Sequence, residues 1–168
     1  MATSGVFVAR AGAKGKGVFA ARAIAPGELI ASFSGRRVVR SELDRLSTWE
    51  HDHLGEVDVG VWQILPEPVC YLNHACEPNA IHTTSEVRAC RAIAAGEEIT
   101  IDYRLNAYDD GDVWRMTCEC GATPGPHEVV GDFFSLSPER QRSYLPVAPP
   151  FIRAMYEQRA RGSAAKGR

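Results

Sequence analysis

The sequence has no run that approaches the eighteen or more consecutive apolar residues of a membrane-spanning helix. A helical membrane anchor is therefore not expected. The opening residues, MATSGVFVARAG, lack the charged-then-apolar layout of a secretory signal, so the expected address is cytoplasmic or nuclear and not secreted. An excess of one charge is also missing: 19 Lys and Arg stand against 21 Asp and Glu, for a net charge of -2 at pH 7. A domain built mainly to hold nucleic acid carries a basic surplus, so direct nucleic-acid binding is not expected. Nor is there a disulfide framework. The five cysteines, Cys70, Cys76, Cys90, Cys118 and Cys120, are odd in number and two are one residue apart, a pattern that suits a metal or free thiols.

What is present is the composition of one compact domain: 168 residues, 45% hydrophobic and 24% charged. Short strand-like runs cover Gly5 to Ala9, Val18 to Ala21, Leu29 to Phe33, Val61 to Leu65, Ala80 to Thr83, Val87 to Ala92 and Glu98 to Tyr103. Gly12, Gly15 and Gly17 punctuate a loop carrying Lys14 and Lys16. Ser41 is placed to cap a short helix over Glu42 to Leu46, and His51 to Gly60 reads as a loop. Beyond Tyr103 the texture changes to an acidic loop from Asn106 to Asp112, then a Pro- and Gly-rich segment after Cys120. Ser137-Pro138 opens a helix with a cap and an N1 proline, and Phe151, Ile152 and Met155 form one apolar helical face. Arg159 to Arg168 is basic and rich in small residues, and reads as a disordered tail.

One phrase occurs twice. Arg22-Ala-Ile-Ala-Pro-Gly-Glu-Leu-Ile30 and Arg91-Ala-Ile-Ala-Ala-Gly-Glu-Glu-Ile99 agree at seven of nine positions, each between two strand readings. The repeat predicts two similar strand-turn-strand units that pair into one β scaffold.

The densest chemistry lies in YLNHACEPNA, from Tyr71 to Ala80, where Asn73, His74, Cys76, Pro78 and Asn79 crowd polar, thiol and turn-forming groups together. With Gly15-Lys-Gly-Val-Phe19 before it and Gly96-Glu-Glu-Ile-Thr-Ile-Asp-Tyr103 after it, this stretch resembles the SET-domain protein lysine methyltransferases, in the right order. Cys118-Glu-Cys120-Gly121 resembles the start of that family's post-SET segment, and the resemblance covers roughly residues 5 to 135.

The resemblance implies a fold that is mainly β with short helices: a SET-domain β-clip with a C-terminal pseudoknot. It divides the chain into a SET core at 1–105, a post-SET-like segment at 106–135, and C-terminal helices with a basic tail at 136–168. It implies S-adenosyl-L-methionine as methyl donor and a lysine amine as acceptor, on a histone-like basic protein or another protein. By matching positions, Gly15, Lys16 and Gly17 offer backbone groups to the donor, Asn73 and His74 contact it, the turn at Pro78-Asn79 holds them, and Tyr103 is the catalytic tyrosine. Asp102 reads equally as a solvated turn carboxylate or a structural hydrogen-bonding group.

Three positions depart from the family pattern. Phe33 stands where many relatives carry Tyr, and Ile101 where they usually have Phe or Tyr. The post-SET zinc site normally takes four cysteines; Cys76, Cys118 and Cys120 supply three, and Gly125-Pro126-His127 occupies the place of the last, so zinc depends on His127 completing the set. These departures keep open a catalytically silent partner-binding module, and the short region between Phe33 and Tyr71 keeps open a small-molecule amine acceptor. His51, His53 and His82 have no motif support and read as surface or loop histidines.

Overall fold

A computed structural model describes residues 2–3, 5–108, 111 and 113–166. Apolar runs in this chain are brief and are stopped by turns rich in Gly and Pro, so strands dominate and stay short. They are β1 (Ala2–Thr3), β2 (Val6–Arg10), β3 (Lys16–Ala20), β4 (Leu29–Ser32), β5 (Arg37–Val39), β6 (Leu54–Asp58), β7 (Val61–Ile64), β8 (Asn73–His74), β9 (Ala80–His82), β10 (Glu86–Ala89), β11 (Glu98–Ile101), β12 (Arg115–Cys118) and β13 (His127–Val130). The α-helices are α1 (Thr48–Asp52), α2 (Pro138–Tyr144) and α3 (Pro150–Lys166). The mainly β architecture with C-terminal helices is the one expected.

The strands form small sheets ordered β1-β4-β10-β9, β2-β3-β11-β8, β5-β7-β6 and β12-β13. All of these pairings are antiparallel except β8 with β11, which run parallel. Val18, Ile24, Ile30, Phe33, Leu72, Val87, Ile93 and Ile99 belong to the main core. A second core, including Leu105, Phe133, Leu136, Tyr144, Phe151 and Ile152, anchors the C-terminal helices.

The repeated phrase folds twice into the same turn, and the two copies face each other. Ile24 and Ile93 exchange both backbone bonds, at 2.9 and 3.0 Å. Gly27 donates to Ala89 O at 2.8 Å, and Gly96 donates to Ala20 O at 2.7 Å. Each turn needs its glycine, because Gly27 and Gly96 have φ of 79° and 81°. In each, a Glu carboxylate accepts from the backbone N–H three residues back, Ala25 or Ala94.

Several local readings are corrected. The segment read as a loop contains β6, which pairs with β7 from Leu54 opposite Ile64. Arg40–Arg45 is a 3-10 turn, while the α-helix nearby is α1, capped by Ser47, whose hydroxyl accepts from Glu50 N at 3.3 Å. Ser137 caps α2 as expected, accepting from Arg140 N. Residues 159 to 166, read as disordered from their composition, continue α3. Residues 167 and 168, and Asp109, Asp110 and Asp112 of the acidic loop, lie outside the described residues. No described helix is long and apolar enough to cross a membrane.

Candidate active site

The parallel pairing of β8 with β11 sets Asn73 opposite Thr100 and His74 opposite Ile101. Asn79, buried at the end of the intervening turn, staples this pairing. Its amide nitrogen donates to Glu98 O at 2.7 Å and to Glu97 Oε1 at 2.9 Å, and its oxygen accepts from Thr100 N at 2.8 Å. A side chain with both ends satisfied by one neighbouring strand fixes that strand's register.

Asn73 then reaches the glycine loop. Its Nδ2 donates to Lys16 O at 2.9 Å and to Glu98 Oε1 at 2.8 Å, while Glu98 Oε2 accepts from Lys14 Nζ at 2.5 Å. A Cβ on Gly17 would lie 2.8 Å from Ala11 Cβ and 2.9 Å from Glu98 Oε1, so no larger residue fits without displacing them. Gly15 has φ of +82° with open space where a Cβ would be. The loop therefore presents bare backbone, which an incoming ligand can approach closely. Lys16 joins this cluster through its carbonyl; its ammonium instead donates to Tyr71 OH at 3.1 Å.

His74, next along β8, holds Tyr103. Its Nδ1 accepts from Tyr103 N at 3.2 Å, which leaves the ring proton on Nε2, 3.3 Å from Cys76 Sγ. Burial lowers its pKa to about 4 against the opposing pull of Asp102, so the ring is neutral at pH 7 and Asp102, 3.7 Å away, is no ion-pair partner. Tyr103 donates through its hydroxyl to Leu72 O at 2.7 Å. Burial, and then the charge of Glu98, push its pKa up to about 12. Asp102 is structural: it is buried, forks with Arg104 at 2.8 and 2.9 Å, and accepts from Tyr144 OH at 3.2 Å, which docks α2.

Tyr103 lines a cavity of about 510 Å³ together with Leu72, Ile101, Trp114, His82 and Asn106. Trp114 meets Tyr103 edge-on at 6.2 Å and lies flat over Gly131, where a Cβ would fall 2.1 Å from the indole. Phe33, the first departure from the family pattern, is buried and stacks on His82 at 5.2 Å. His82 is thus neither a surface nor a loop histidine: it ends β9, is only 7% exposed, and lies between the Phe33 ring and the Asn106 amide.

A second cluster sits beside the first. Cys76, Cys118, Cys120 and His127 hold their ligand atoms within 4.8 Å of one another. The hairpin of β12 and β13 explains this, since it pairs Cys118 directly with His127. His127 Nε2 lies 3.1 Å from Cys76 Sγ, and its Nδ1 is 2.7 Å from the Thr123 hydroxyl, which fixes the ring. Three sulfurs and one imidazole are a donor set for structural zinc, whose bonds are about 2.0 to 2.3 Å, and the anchored imidazole is the usual supporting contact. His127 thereby fills the place the sequence left short of a cysteine. Arg140 of α2 donates to Cys76 O at 3.2 Å and pairs with Glu77, so the C-terminal helices brace the same turn.

Residues 15–104 match the SET domain. The chain belongs to the SET-domain family. Over 134 residues it is 31% identical to Histone-lysine N-methyltransferase 2B of Homo sapiens, and 28% identical to Histone-lysine N-methyltransferase trr of Drosophila melanogaster. Each alignment takes in 70% of this chain but 5% of the relative's length. Among solved structures, a humanized mutant of the Chaetomium thermophilum Polycomb Repressive Complex 2 bound to an inhibitor gives a TM-score of 0.53 at 26% identity, covering 62% of this chain and 15% of that one. The active form of polycomb repressive complex 2 in its basal state gives 0.52 at 26% identity, covering 60% and 15%.

Within this SET domain, the residues the sequence singled out gather around β8 and β11: Asn73 bonds Lys16 between Gly15 and Gly17, and His74 bonds the Tyr103 N–H. Sequence reasoning missed Glu98 and Trp114. Glu98 carried a signal, because it replaces Leu29 in an otherwise matching repeat. Trp114 carried none, since its place over the cavity depends on the β12–β13 hairpin.

Proposed function

We propose that this SET domain transfers a methyl group from S-adenosyl-L-methionine to a lysine side-chain amine of a protein, with histone-like basic proteins as the acceptor class. The observation that carries the reading is that β8 joins the two ends of the site: Asn73 bonds the glycine loop at Lys16 O, and its neighbour His74 holds the backbone N–H of Tyr103, whose hydroxyl is fixed by Leu72 O at a cavity wall. Gly15, Lys16 and Gly17, with Asn73 and His74, are the groups proposed to hold the donor, and Tyr103 is the proposed catalytic residue. S-adenosyl-L-methionine supplies an electrophilic methyl when bound.

Tyr103 keeps its proton at neutral pH, so it is no general base. Its hydroxyl is held in one direction by Leu72 O and keeps its lone pairs for orienting groups at the reacting centre. A lysine, with an ordinary pKa of about 10.4, is neutral only about once in a few thousand molecules near pH 7. Walls such as Ile101 and Leu72 lower that barrier, since desolvation penalises the ammonium. Cys76, Cys118, Cys120 and His127 are proposed to hold a structural zinc that pins the hairpin, and with it Trp114, over the cavity.

Calorimetry with S-adenosyl-L-methionine, followed by tritiated methyl transfer onto core histones, tests the reading. Saturable binding with labelling is expected, and Tyr103→Phe should lower the rate about a hundredfold, as loss of a transition-state hydrogen-bonding group does. An inert titration defeats the enzyme reading in favour of a silent binding module, and equal labelling by both proteins removes Tyr103 from catalysis. Metal analysis should find about one zinc per chain, lost in Cys118→Ser with a lower unfolding temperature.

A further inference from the structure

His82 and Asn106 are an anomaly in this domain. Both line the cavity that Tyr103 lines, and both are buried. Each nevertheless keeps a buried polar atom with no hydrogen-bond partner: Nε2 of His82 and Oδ1 of Asn106. Their one mutual contact is His82 Nδ1 to Asn106 Nδ2, at 3.1 Å. An unpartnered buried polar atom destabilises a fold, so its place beside a reacting cavity calls for a ligand. The His82 ring stacks on Phe33, and the cavity it lines is mixed, with Leu72 and Ile101 beside Glu56, Asp102 and Tyr103.

We propose that Nε2 of His82, backed by Asn106, is the hydrogen-bonding group that seats the acceptor's amine in this cavity. The inference rests on the methyl-transfer reading above and assigns His82 a positioning role within it. An amine fits the valences. With the Asn106 amide nitrogen donating to Nδ1, the ring proton sits on Nε2. With the amide turned over, its oxygen accepts from Nδ1–H and Nε2 presents a lone pair. An amine N–H needs the second arrangement. Holding that N–H leaves the nitrogen's own lone pair directed elsewhere, free to attack. Burial holds the His82 pKa down to about 4, so the imidazole is neutral and does not repel an incoming ammonium. Phe33 and Ile101 bring no hydroxyl of their own, and His82 supplies the polar contact those two positions lack.

The substitutions that test this separate the two ring nitrogens. Gln places a polar atom where Nε2 stood, Asn places one where Nδ1 stood, and Phe keeps only the stacked ring. In tritiated transfer onto core histones, His82→Phe should lower kcat about tenfold, the worth of one hydrogen bond, with donor affinity by calorimetry unchanged. His82→Gln should recover most of that loss and His82→Asn little. Recovery by Asn but not Gln, or an undiminished kcat in His82→Phe, overturns the assignment, because a purely structural role runs through Nδ1. A second measurement does not need turnover. In protein labelled with 15N-histidine, titration with n-butylammonium at pH 8 should move the His82 Nε2 resonance saturably, identified by its absence in His82→Phe. No movement at saturating amine overturns the proposal. If wild type transfers no methyl group yet the resonance moves, the methyl-transfer reading has failed and the amine seat stands.

Discussion

The two copies of the Arg-Ala-Ile-Ala-x-Gly-Glu turn are built alike and employed differently. In both, the arginine pairs with the glutamate of its own turn, Arg22 with Glu28 and Arg91 with Glu97. In both, the backbone before the turn bonds across to the other copy, Ala20 N to Glu97 O and Ala89 N to Glu28 O, each at 3.0 Å. The next residue breaks the likeness. Leu29 of the first copy stands partly exposed, whereas Glu98 of the second binds Asn73 and Lys14. The second copy also accepts the Asn79 staple, through Glu97 and the Glu98 carbonyl. One turn is scaffold; its twin, on the same frame, holds the candidate site.

If the frame is shared, damage to its centre should not depend on the copy. Ile24 and Ile93 are 2% and 1% exposed and face each other. Ile24→Ala and Ile93→Ala should each destabilise by about 2 to 5 kcal/mol in urea unfolding, with similar values. The double variant should depart from additivity, since the residues are in contact. A gap of more than about 2 kcal/mol between the single variants breaks the equivalence.

Exchanging the divergent residues tests the asymmetry directly. Glu98→Leu leaves the Asn73 amide with only the Lys16 carbonyl and removes the acceptor for Lys14. Affinity for S-adenosyl-L-methionine should fall about tenfold by calorimetry, the cost of one charge-assisted bond at the loop. Leu29→Glu, at an exposed position in the other copy, should leave affinity unchanged and stability within about 0.5 kcal/mol. An equal loss in both would mean that the first turn also serves the site.

Much of this shared frame is legible in the sequence. Strands β2, β3, β4, β7, β9, β10 and β11 follow from brief apolar runs between turns, and the repeat announced its own pairing. The cluster around Asn73 and His74 was visible because it is dense within a few residues. Contacts set by long-range register were not. Glu98 reaches Asn73 across a parallel pairing, Trp114 is aimed by a hairpin whose strands lack a clear alternating pattern, and the orphaned nitrogen of His82 exists only once Phe33 and Asn106 have closed around it. β6 was hidden because Gly55 and acidic residues mask a strand whose partner, β7, supplies the apolar character. Composition also misled at 159–166, where Arg and Ala favour a helix once Phe151 and Ile152 dock its first turn.

The smallest expected difference lies in acid. Arg22, and then the Ala25 N–H, hold the Glu28 carboxyl below its ordinary range. Burial pushes Glu97 up, but Arg91, the Ala94 N–H and the Asn79 amide outweigh it and bring its pKa down to about 2. Both folded values lie below the ordinary 4.5, so each carboxylate stabilises the fold above that pH. The Glu97 contribution is then lost as the pH falls from 4.5 through about 2. Urea midpoints measured from pH 7 downward should therefore place Glu97→Gln and Glu28→Gln furthest below wild type at neutral pH and converge on it in acid. Glu97→Gln should show the larger gap at pH 7, because it also weakens the staple between the Asn79 turn and β11. If Glu28→Gln shows the larger gap, the functional copy is not the one that carries the additional charge-dependent tie, and the division between scaffold and site falls.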